Sequence, residues 1–444
     1  MKRHRYYCLQ RRDVMKRKSS SVILCVAMVA GLAAGCGSSK DEKKDGKEIL
    51  SVWIPPLDDE TEKNYVPLLD KFEKENNCEL DVQIIPWDTY EEKYMTAINA
   101  GEGPDVGYMY VEMFPTYIDS GAVVDMEEYL TEEDYEEYLY LDRGKMMGGT
   151  YGFPFNTGNP FIMYYNEDIL ESIGETAPET WEDFERICKK ATKDTDGDGK
   201  IDQYGYAAGF NNGDMSPLYL LNSYYYSLLW QNGSDIYNDD LKSVRFNDEA
   251  GVEAVEYLKS LTPYMPEDYM SLAATDAFSN VFGGGHAAFA CARAMQAQSE
   301  SFQETYPDLH WNYVTSLKNE QYGTFGAADC LTLMSACENK ELGMKLIKYM
   351  TGTEVMSEYH KEHHGAPMTK DEEYQGDEKL ERTLTEDRDK WRPLQAGPCG
   401  SDILLNLVSQ IQAVMSGDAS AQEALDEAAE YSNDLLDEYW ADKE

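Results

Sequence analysis

The chain has 444 residues, of which 39 are Lys or Arg and 83 are Asp or Glu, so its formal net charge is −44. A chain this acidic repels phosphate backbones and anionic membranes, which argues against nucleic-acid binding. Its length exceeds that of one ordinary hydrophobic core and suits two large lobes. We interpret most of the negative charge as a solvated surface rather than as a binding face for a cationic partner.

Residues 1–35 have the pattern of a signal peptide. Basic residues extend to Lys18, and an apolar run then occupies residues 22–35. This run is shorter than the roughly 20 apolar residues that a membrane-spanning helix needs, and small residues end it as a processing site requires. Met15 begins a more typical leader than Met1, so both remain candidates for the start of translation.

The leader ends in Ala33-Ala-Gly-Cys36, which resembles the lipobox of bacterial lipoproteins. The resemblance implies cleavage before Cys36 and attachment of lipid to its thiol. The alternative is an ordinary secretory leader followed by an unrelated cysteine. Residues 36–48 are a polar tether, which favours the lipoprotein interpretation.

Three buried strands separated by helices are predicted in the first part of the mature chain. Residues 49–54 are a continuous apolar run, residues 80–84 alternate between apolar and polar, and residues 101–111 read as a turn leading into a strand. Apolar residues at helical spacing lie between these segments. The alternation predicts a parallel sheet with right-handed crossovers, whose ligands bind beyond the carboxyl ends of the strands.

Residues 150–166 are an aromatic and almost uncharged run in a chain that is otherwise dense with carboxylates. We predict that this run is the first crossing between two lobes, and that residues 322–329 are the return crossing. A second α/β unit lies between them. Thr180 and Asp183 have the spacing of a capping box at a helix start, and residues 282–289 read as a glycine turn into a buried strand.

The segment 194–202 has the ligand spacing of an EF-hand calcium loop. The predicted ligands occupy positions one, three, five, seven and nine of the loop: Asp194, Asp196, Asp198, the carbonyl of Lys200, and Asp202. Position twelve, where the bidentate glutamate belongs, is Gly205. We therefore expect a structural Ca²⁺ that either takes a further ligand from another part of the chain or is bound weakly. The alternative is an acidic turn that is solvated and binds no ion. No organic cofactor is expected.

Two other patterns give weaker signals. His360 and His364 share a helical face, but the spacing is not that of HExxH, so we interpret them as a polar helix end rather than a zinc site. The six cysteines after Cys36 form no CxxC pair. We interpret most of them as buried small hydrophobes, and the sequence leaves their pairing open.

Several short motifs, in order and spacing, together resemble the extracellular sugar-type solute-binding proteins of ABC importers. The motifs are Trp87-Asp-Thr-Tyr-Glu-Glu-Lys-Tyr94 ahead of Gly101-Glu-Gly-Pro-Asp-Val106, Tyr151-Gly-Phe-Pro-Phe155 ahead of Tyr164-Tyr-Asn166, Pro178-Glu-Thr-Trp181, and Gly365-Ala-Pro367. The resemblance implies an α/β, two-lobed, periplasmic-binding-protein-like fold. Each lobe is expected to be a mostly parallel sheet flanked by helices, and hinge strands join the two.

The resemblance also sets the expected organisation and partners. We predict an N-terminal lobe of residues 49–155 plus 327–368 and a C-terminal lobe of residues 156–326 plus 369–444. The implied protein is a monomer anchored through Cys36 to the outer face of the bacterial cell membrane. It would hold a carbohydrate in the cleft between the lobes, close around it, and deliver it to the subunits of an ABC permease.

Candidate ligand contacts follow from the chemistry of sugars. Pyranose rings present apolar C–H faces and hydroxyls, so a sugar site needs aromatic planes together with amides or carboxylates. Six candidates lie directly after the predicted strands or at the crossing, where the family places ligand contacts. They are Asp58, Asp59, Trp87, Tyr108, Tyr110 and Asn156. The second lobe adds Phe210, Asn211, Trp230, Arg293 and Trp391. We interpret Asp105, which follows a proline, as a structural cap.

Two other functions remain open at this point. A secreted glycoside hydrolase also has an aromatic cleft and needs two carboxylates roughly 5–9.5 Å apart, which an acidic chain supplies easily. The lipobox-like sequence and the motif series favour a binding protein over this enzyme. A binder of a peptide or of another small polar solute is the second alternative. The scarcity of arginine among the predicted contacts favours a neutral ligand over an anionic one.

Overall fold

The computed structural model describes residues 47–58, 60–213 and 215–443. The predicted signal peptide, Cys36 and nearly all of the tether lie outside the described residues, as does Asp59. Among the residues that are described, none of the helices combines the length and the apolar character needed to cross a membrane.

Strands and α-helices alternate along most of the chain. The strands are β1 (Glu48–Ile54), β2 (Cys78–Ile84), β3 (Val106–Met109), β4 (Lys145–Met146), β5 (Gly149–Thr150), β6 (Phe153–Asn166), β7 (Tyr204–Ala207), β8 (Ala287–Arg293), β9 (Trp311–Val314), β10 (Thr324–Leu333) and β11 (Trp391–Arg392). The α-helices of the first half are α1 (Thr61–Asn64), α2 (Asp70–Asn76), α3 (Tyr90–Asn99), α4 (Phe114–Asp119), α5 (Glu132–Glu137), α6 (Glu167–Ser172) and α7 (Trp181–Ala191). Those of the second half are α8 (Tyr226–Gln231), α9 (Glu249–Ser260), α10 (Ala274–Asp276), α11 (Glu300–Thr305), α12 (Lys340–Met350), α13 (Thr353–His363), α14 (Gly400–Ser416) and α15 (Ala421–Ala441).

Shorter helical turns connect these elements. The 3₁₀ turns are Val66–Leu69, Trp87–Thr89, Glu127–Tyr129, Leu141–Gly144, Thr262–Tyr264, Gln296–Gln298, Glu378–Thr383 and Arg388–Lys390. Two π-helical segments, Leu221–Tyr225 and Ala277–Phe282, lead into α8 and towards β8.

The main sheet has the strand order β2-β1-β3-β10-β6-β8-β7. β1 pairs in parallel with both β2 and β3, as the β-α-β-α-β pattern of the sequence predicts. The other end is mixed, because β8 is parallel to β7 and antiparallel to β6, and β9 also pairs antiparallel with β6. The carboxyl ends of β1, β2 and β3 therefore meet at one edge of the sheet.

The two segments predicted as crossings are the long strands β6 and β10, which pair antiparallel at the centre of the sheet. The register between them shifts near Gly326 and again near Asp329, so the ladder is irregular there. Gly158 of β6 has φ +93°, and a Cβ at this position would lie 2.8 Å from the Cβ of Ala366. Only glycine adopts this positive φ and leaves this space to Ala366 without strain, so the path of the crossing strand depends on Gly158.

Buried apolar side chains form two large cores and one smaller core. The first core contains the side chains of β1–β3, α12 and the start of α13. The second contains those of α7, α8, α9, α14 and α15, and the small third core lies around β8. Chains of this length divide their apolar surface in this way because a single core stops growing at about 250–300 residues.

Local sequence signals account for several element boundaries. The Thr180 side chain accepts a hydrogen bond from the backbone N–H of Asp183 at the start of α7, as the spacing predicts. Ser420 and Glu423 form a complete capping box on α15. Asp105 is structural, as predicted: its carboxylate accepts hydrogen bonds from the backbone N–H and the hydroxyl of Ser51, at 2.7 and 2.8 Å, and so ties the entry to β3 onto β1.

Candidate ligand-binding site

Three aromatic side chains form a wall at the carboxyl edge of β2 and β3. Trp87 opens the 3₁₀ turn that follows β2, and it is 50% exposed. Its ring centroid lies 6.0 Å from that of Tyr108 and 6.4 Å from that of Tyr110. Tyr108 itself is only 1% exposed. Trp87 therefore offers an open aromatic face, and Tyr108 supports it from behind.

Carboxylates stand beside this wall. The Tyr108 hydroxyl donates to Asp329 Oδ2 of β10 at 2.7 Å, and the Tyr110 hydroxyl donates to Glu91 of α3. Glu112, which follows β3, is partly accessible. Burial raises the pKa of Asp329, and burial together with the charges of Asp329 and Glu91 raises the pKa of Glu112 to about 7. We call the region bounded by Trp87, Tyr108, Tyr110, Glu91, Glu112 and Asp329 the recess.

The floor of the recess is the crossing. Asn156 of β6 is partly exposed and pairs in register with Asp329 of β10. The Asn159 side-chain amide donates to Asn156 Oδ1 at 3.2 Å and orients that side chain. An amide and a carboxylate thus lie next to each other where the two long strands pass the aromatic wall.

Arg293 brings a cation to the recess from the other side of the crossing. It ends β8 opposite Phe161 of β6, and its guanidinium lies 5.9 Å from the Phe161 ring centroid. Its charge lowers the pKa of Asp329 and of Tyr108, against the larger effect of their burial. Its Nε is buried without a hydrogen-bond partner among the described residues. Five predicted contacts, Trp87, Tyr108, Tyr110, Asn156 and Arg293, are therefore brought together.

Aromatic and carboxylate side chains at the carboxyl ends of parallel strands, beside two long crossing strands, form the arrangement that the family resemblance implies. The sequence matches the family of bacterial extracellular solute-binding proteins over residues 68–381, well over half of the chain. The chain belongs to the bacterial extracellular solute-binding proteins. Proteins of this kind bind a solute for an importer and are not enzymes, so the hydrolase alternative does not hold.

Relatives of this solute-binding protein cover most of its length. Maltodextrin-binding protein MdxE of Bacillus subtilis is 26% identical over 347 residues, which are 76% of this chain and 77% of MdxE. A maltooligosaccharide ABC transporter solute-binding lipoprotein of Streptococcus pneumoniae is 22% identical over 357 residues, which are 76% of this chain and 77% of that protein. By their names, the first binds maltodextrin and the second is the solute-binding lipoprotein of a maltooligosaccharide ABC transporter.

Solved structures show the same fold. The sugar-binding protein MalE from Xanthomonas citri matches with a TM-score of 0.73 and 18% identity, covering 89% of this chain and 99% of that one. An ABC substrate-binding protein from Listeria monocytogenes, in complex with cycloalternan, matches with a TM-score of 0.69 and 19% identity over 88% of this chain and 99% of that one. The predicted α/β periplasmic-binding-protein fold is confirmed, with sheets that are more mixed than predicted.

The predicted contact Asp58 has a partner inside the solute-binding protein. Its Oδ2 lies 2.9 Å from Nε2 of His363 at the end of α13, and His363 stacks on Tyr359 with ring centroids 4.3 Å apart. The Asp58 carboxylate also accepts a hydrogen bond from the backbone N–H of Glu60 at 2.6 Å. Asp58 therefore joins β1 to α13 in this conformation. Asp59 lies outside the described residues.

Three aromatic residues predicted as contacts lie in the hydrophobic interior. Phe210 is 2% exposed and packs on Tyr224. Trp230 has no exposed surface, and its indole N–H donates to Asp235 Oδ1 at 3.0 Å. Trp391 is 1% exposed and donates to the carbonyl of Thr383 at 2.7 Å. The indole N–H groups of the two tryptophans have partners within the fold, and all three rings are packed in the interior. The structure therefore does not bring these residues to the recess.

Asn211 is exposed but is not brought to the recess by any described contact. Its side-chain oxygen accepts a hydrogen bond from the backbone N–H of Gly213, and its backbone bridges to Ala273. This is the local turn chemistry that asparagine commonly supplies.

Three recess residues were not predicted from the sequence: Glu91, Glu112 and Asp329. Glu91 lies inside the Trp87–Tyr94 motif, Glu112 directly follows the predicted third strand, and Asp329 ends the predicted return crossing. In a chain with 83 acidic residues, none of these positions stands out by type. The signal that could have found them is their position beyond the carboxyl end of a strand or at the crossing.

The predicted calcium loop connects α7 to β7. Carboxylate oxygens of Asp194, Asp196 and Asp202 lie within 4.8 Å of one another. Asp194 accepts hydrogen bonds from the backbone N–H groups of Gly197 and Gly199 at 2.6 and 2.7 Å, and these bonds lower its pKa. Asp202 accepts from the Thr195 hydroxyl and backbone N–H, with the same effect on its pKa. Three carboxylate oxygens therefore lie close enough together to face a single cation.

Of the predicted side-chain ligands, Asp198 lies outside this group of three. It accepts a hydrogen bond from the backbone N–H of Lys200 at 2.8 Å, and the carbonyl of Lys200 stays a predicted ligand. The histidine segment has protein partners, since His360 Nδ1 lies 2.5 Å from buried Glu372. None of the six cysteines in the described part of the chain forms a disulfide, and four of them are buried.

Proposed function

We propose that this solute-binding protein captures a carbohydrate, a mono- or oligosaccharide, in the recess and delivers it to the permease of an ABC importer. The observation that carries the proposal is the half-exposed Trp87 face beside the carboxylate of Asp329 and the amide of Asn156. A sugar ring stacks on an aromatic plane while carboxylates and amides accept from and donate to its hydroxyls. The names of the relatives, among them maltodextrin-binding and arabinooligosaccharide-binding proteins, point to the same class of ligand.

We also propose that the protein works by closure of two lobes, with the predicted bounds of 49–155 plus 327–368 and 156–326 plus 369–444. The two large cores support this division, because almost all of their members follow it. The exceptions, Val111, Ala328 and Trp391, lie close to the crossing or the recess. Ligand binding would shift an open state towards a closed one by bending β6 and β10.

The test is a binding screen of the mature protein against mono- and oligosaccharides by calorimetry, with scattering to follow compaction. We expect saturable binding, no product formation and a smaller radius of gyration in the complex. Asn156→Ala should weaken binding about fivefold to tenfold through loss of one buried hydrogen bond, with an unchanged melting temperature. Binding of peptides but of no sugar would contradict the proposed ligand class, and product formation would contradict the proposed role.

We further propose that the protein is a lipoprotein of the outer face of the cell membrane. The support is the lipobox-like sequence that ends at Cys36 and the naming of two relatives as lipoproteins. In cells labelled with a palmitate analogue, the wild-type protein should carry the label and Cys36→Ala should not. A labelled Cys36→Ala variant would contradict the proposal.

For the loop 194–202 we propose a structural Ca²⁺. The convergence of Asp194, Asp196 and Asp202 supports a hard divalent cation, because Ca²⁺ prefers clustered carboxylate oxygens. Its role would be to fix the connection between α7 and β7, far along the chain from the residues of the recess.

A further inference from the structure

The end of α15 forms a polar contact with α4, outside the recess. The hydroxyl of Tyr439, in the last turn of α15, donates to Asp119 Oδ1 at 2.7 Å. Lys443, just after α15, places its Nζ 3.0 Å from the same oxygen. Asp119 is the last residue of α4 and lies 320 and 324 positions along the chain from these two partners. One carboxylate oxygen therefore joins two segments from opposite ends of the chain.

The two helices are fixed in different hydrophobic cores. α4 contributes Phe114 and Tyr117 to the first core, which belongs to the predicted N-terminal lobe. α15 contributes Leu425 and Leu436 to the second core, which belongs to the predicted C-terminal lobe. A bond between the ends of these helices therefore joins the two lobes rather than two parts of one lobe.

The donors of this contact are held in position by their own lobe. The indole N–H of Trp440 donates to the carbonyl of Leu241 at 3.0 Å, which anchors the last turn of α15. The Lys443 ammonium lies 5.2 Å from the ring centroid of Tyr439. An exposed ion pair alone contributes little to stability, but a hydrogen bond from a half-buried tyrosine to a carboxylate contributes more. The Tyr439 hydroxyl is therefore the main donor, and Lys443 supports it.

The other end of α4 also meets the C-terminal lobe. Val111 follows β3, is 5% exposed and belongs to the second core, although Met109 and Met113 on either side of it belong to the first. α4 is six residues long, which corresponds to about 9 Å of helix. The segment that leads into α4 thus packs on the C-terminal lobe, and Asp119 bonds to that lobe where α4 ends.

We propose that Asp119, Tyr439 and Lys443 form a latch that holds part of the free protein closed and so raises its affinity for a ligand that the latch does not touch. The proposal rests on the proposed function, in which two lobes close around a carbohydrate. Opening by bending of β6 and β10 would separate α4 from α15, because the two helices belong to different lobes. A bond made only in the closed state populates that state, and the apparent affinity rises with the closed fraction.

The first experiment measures the radius of gyration of the free mature protein by X-ray scattering. Tyr439→Phe removes only the hydroxyl, and Asp119→Asn removes the charge but keeps one acceptor oxygen. We expect each variant to have a larger radius of gyration than wild type. The double variant should add less than the sum of the two effects, because both substitutions act on one contact.

A matched control separates the latch from a general effect of charge. Asp437 is an exposed acid on α15, two positions before Tyr439. Asp437→Asn removes the same charge as Asp119→Asn, and we expect it to scatter like wild type. Melting temperatures show that each variant is folded, and Tyr439→Phe, which loses a single oxygen atom, tests the latch independently of Asp119→Asn.

The second experiment measures affinity by calorimetry with maltotriose as the probe. We expect Tyr439→Phe and Asp119→Asn to bind it about twofold to tenfold more weakly than wild type, which is the range for the loss of one hydrogen bond. Asp437→Asn should bind it as tightly as wild type.

The two readouts separate the latch from the proposed function. Larger free radii together with weaker maltotriose binding support the latch. Identical scattering of the free wild type and both variants overturns it, whether or not the sugar binds. Larger radii with unchanged affinity overturn its effect on binding. If neither maltotriose nor any other carbohydrate binds, the proposed function fails, and scattering of the free proteins still decides the latch.

Discussion

The recess and the loop 194–202 are both acidic, yet their carboxyl groups lie in opposite environments. Glu112 and Asp329 are packed beside aromatic rings, and burial raises the pKa of each. Asp194 and Asp202 are half-buried, as Glu112 and Asp329 are, but hydrogen bonds from neighbouring backbone and hydroxyl donors lower the pKa of each. The comparison shows that the surroundings of an acid decide the direction of its pKa shift: hydrogen-bond donors in the loop favour the charged form, whereas burial in the recess favours the neutral form.

The largest expected effect concerns the recess and pH. Burial and the charges of Asp329 and Glu91 raise the pKa of Glu112 to about 7, and the charge of Glu112 in turn adds to the raised pKa of Tyr226. At about pH 4 the Glu112 carboxyl is mostly protonated in both the folded and the unfolded chain. As the pH rises, the unfolded chain loses the proton first, so the folded state binds more protons and stability falls until the pH passes about 7.

Glutamine at this position does not ionise, so Glu112→Gln should remove that loss. Denaturant unfolding at about pH 8 should show the variant more stable than wild type by at most about 3 kcal/mol, with no difference at about pH 4. Glu92→Gln serves as the control with no pH-dependent gain. A stability difference that is the same at both pH values would contradict the environment assigned to Glu112.

The next effect concerns the calcium loop. If the loop binds Ca²⁺, the folded state should gain about 2.7 kcal/mol when free Ca²⁺ is a hundredfold above the dissociation constant. The double variant Asp194→Asn/Asp202→Asn keeps one of the two acceptor oxygens of each side chain and loses two charges, so this gain should disappear. Thermal unfolding with and without a chelator measures it. A wild-type melting temperature that does not respond to Ca²⁺ would contradict the metal assignment.

The recess supplies the control for that experiment. Glu112→Gln should leave the response to Ca²⁺ intact, because Glu112 does not belong to the group of three carboxylates in the loop. Loss of the calcium response in Glu112→Gln would mean that the two acidic regions are not independent.

The smallest effect is expected inside the loop. Asp198 is not part of the group formed by Asp194, Asp196 and Asp202, although the EF-hand spacing predicts it as a ligand. Asp198→Asn should therefore change the calcium-dependent stabilisation by less than about 0.5 kcal/mol. Titration of the variant and of Asp196→Asn side by side gives the comparison. An equal loss of calcium-dependent stabilisation in the two variants would show that the EF-hand spacing predicts the ligands better than the positions of the carboxylate oxygens do.

The sequence predicts the fold well where periodicity and spacing are strong. The strands at 49–54 and 80–84, the Thr180 cap and the two crossings that are poor in charge are all recognisable, because each is a local pattern with one structural solution. The antiparallel pairing of β6 with β8 and β9 is not predictable in this way. It depends on contacts between segments more than 100 residues apart.

The site is predicted only in part, for a similar reason. Trp87, Tyr108 and Asn156 are found because they follow strands or lie at a crossing. Trp230 has the same residue type as Trp87, but its indole N–H finds Asp235 and its ring stacks on Tyr226, so it belongs to the core. Residue type alone does not tell an exposed aromatic ring from a buried one. For Trp230, the packing of α8 against β10 decides that the ring is buried.

The measurement that tests the central claim most directly is carbohydrate binding by wild type and by Trp87→Ala. Trp87 is half-exposed, so its removal should leave the melting temperature nearly unchanged while it weakens sugar binding by roughly tenfold or more through loss of stacking. We predict that calorimetry finds a carbohydrate ligand for the wild-type protein and this loss in the variant. Sugar binding that is equally tight in both proteins would contradict a binding site at the recess.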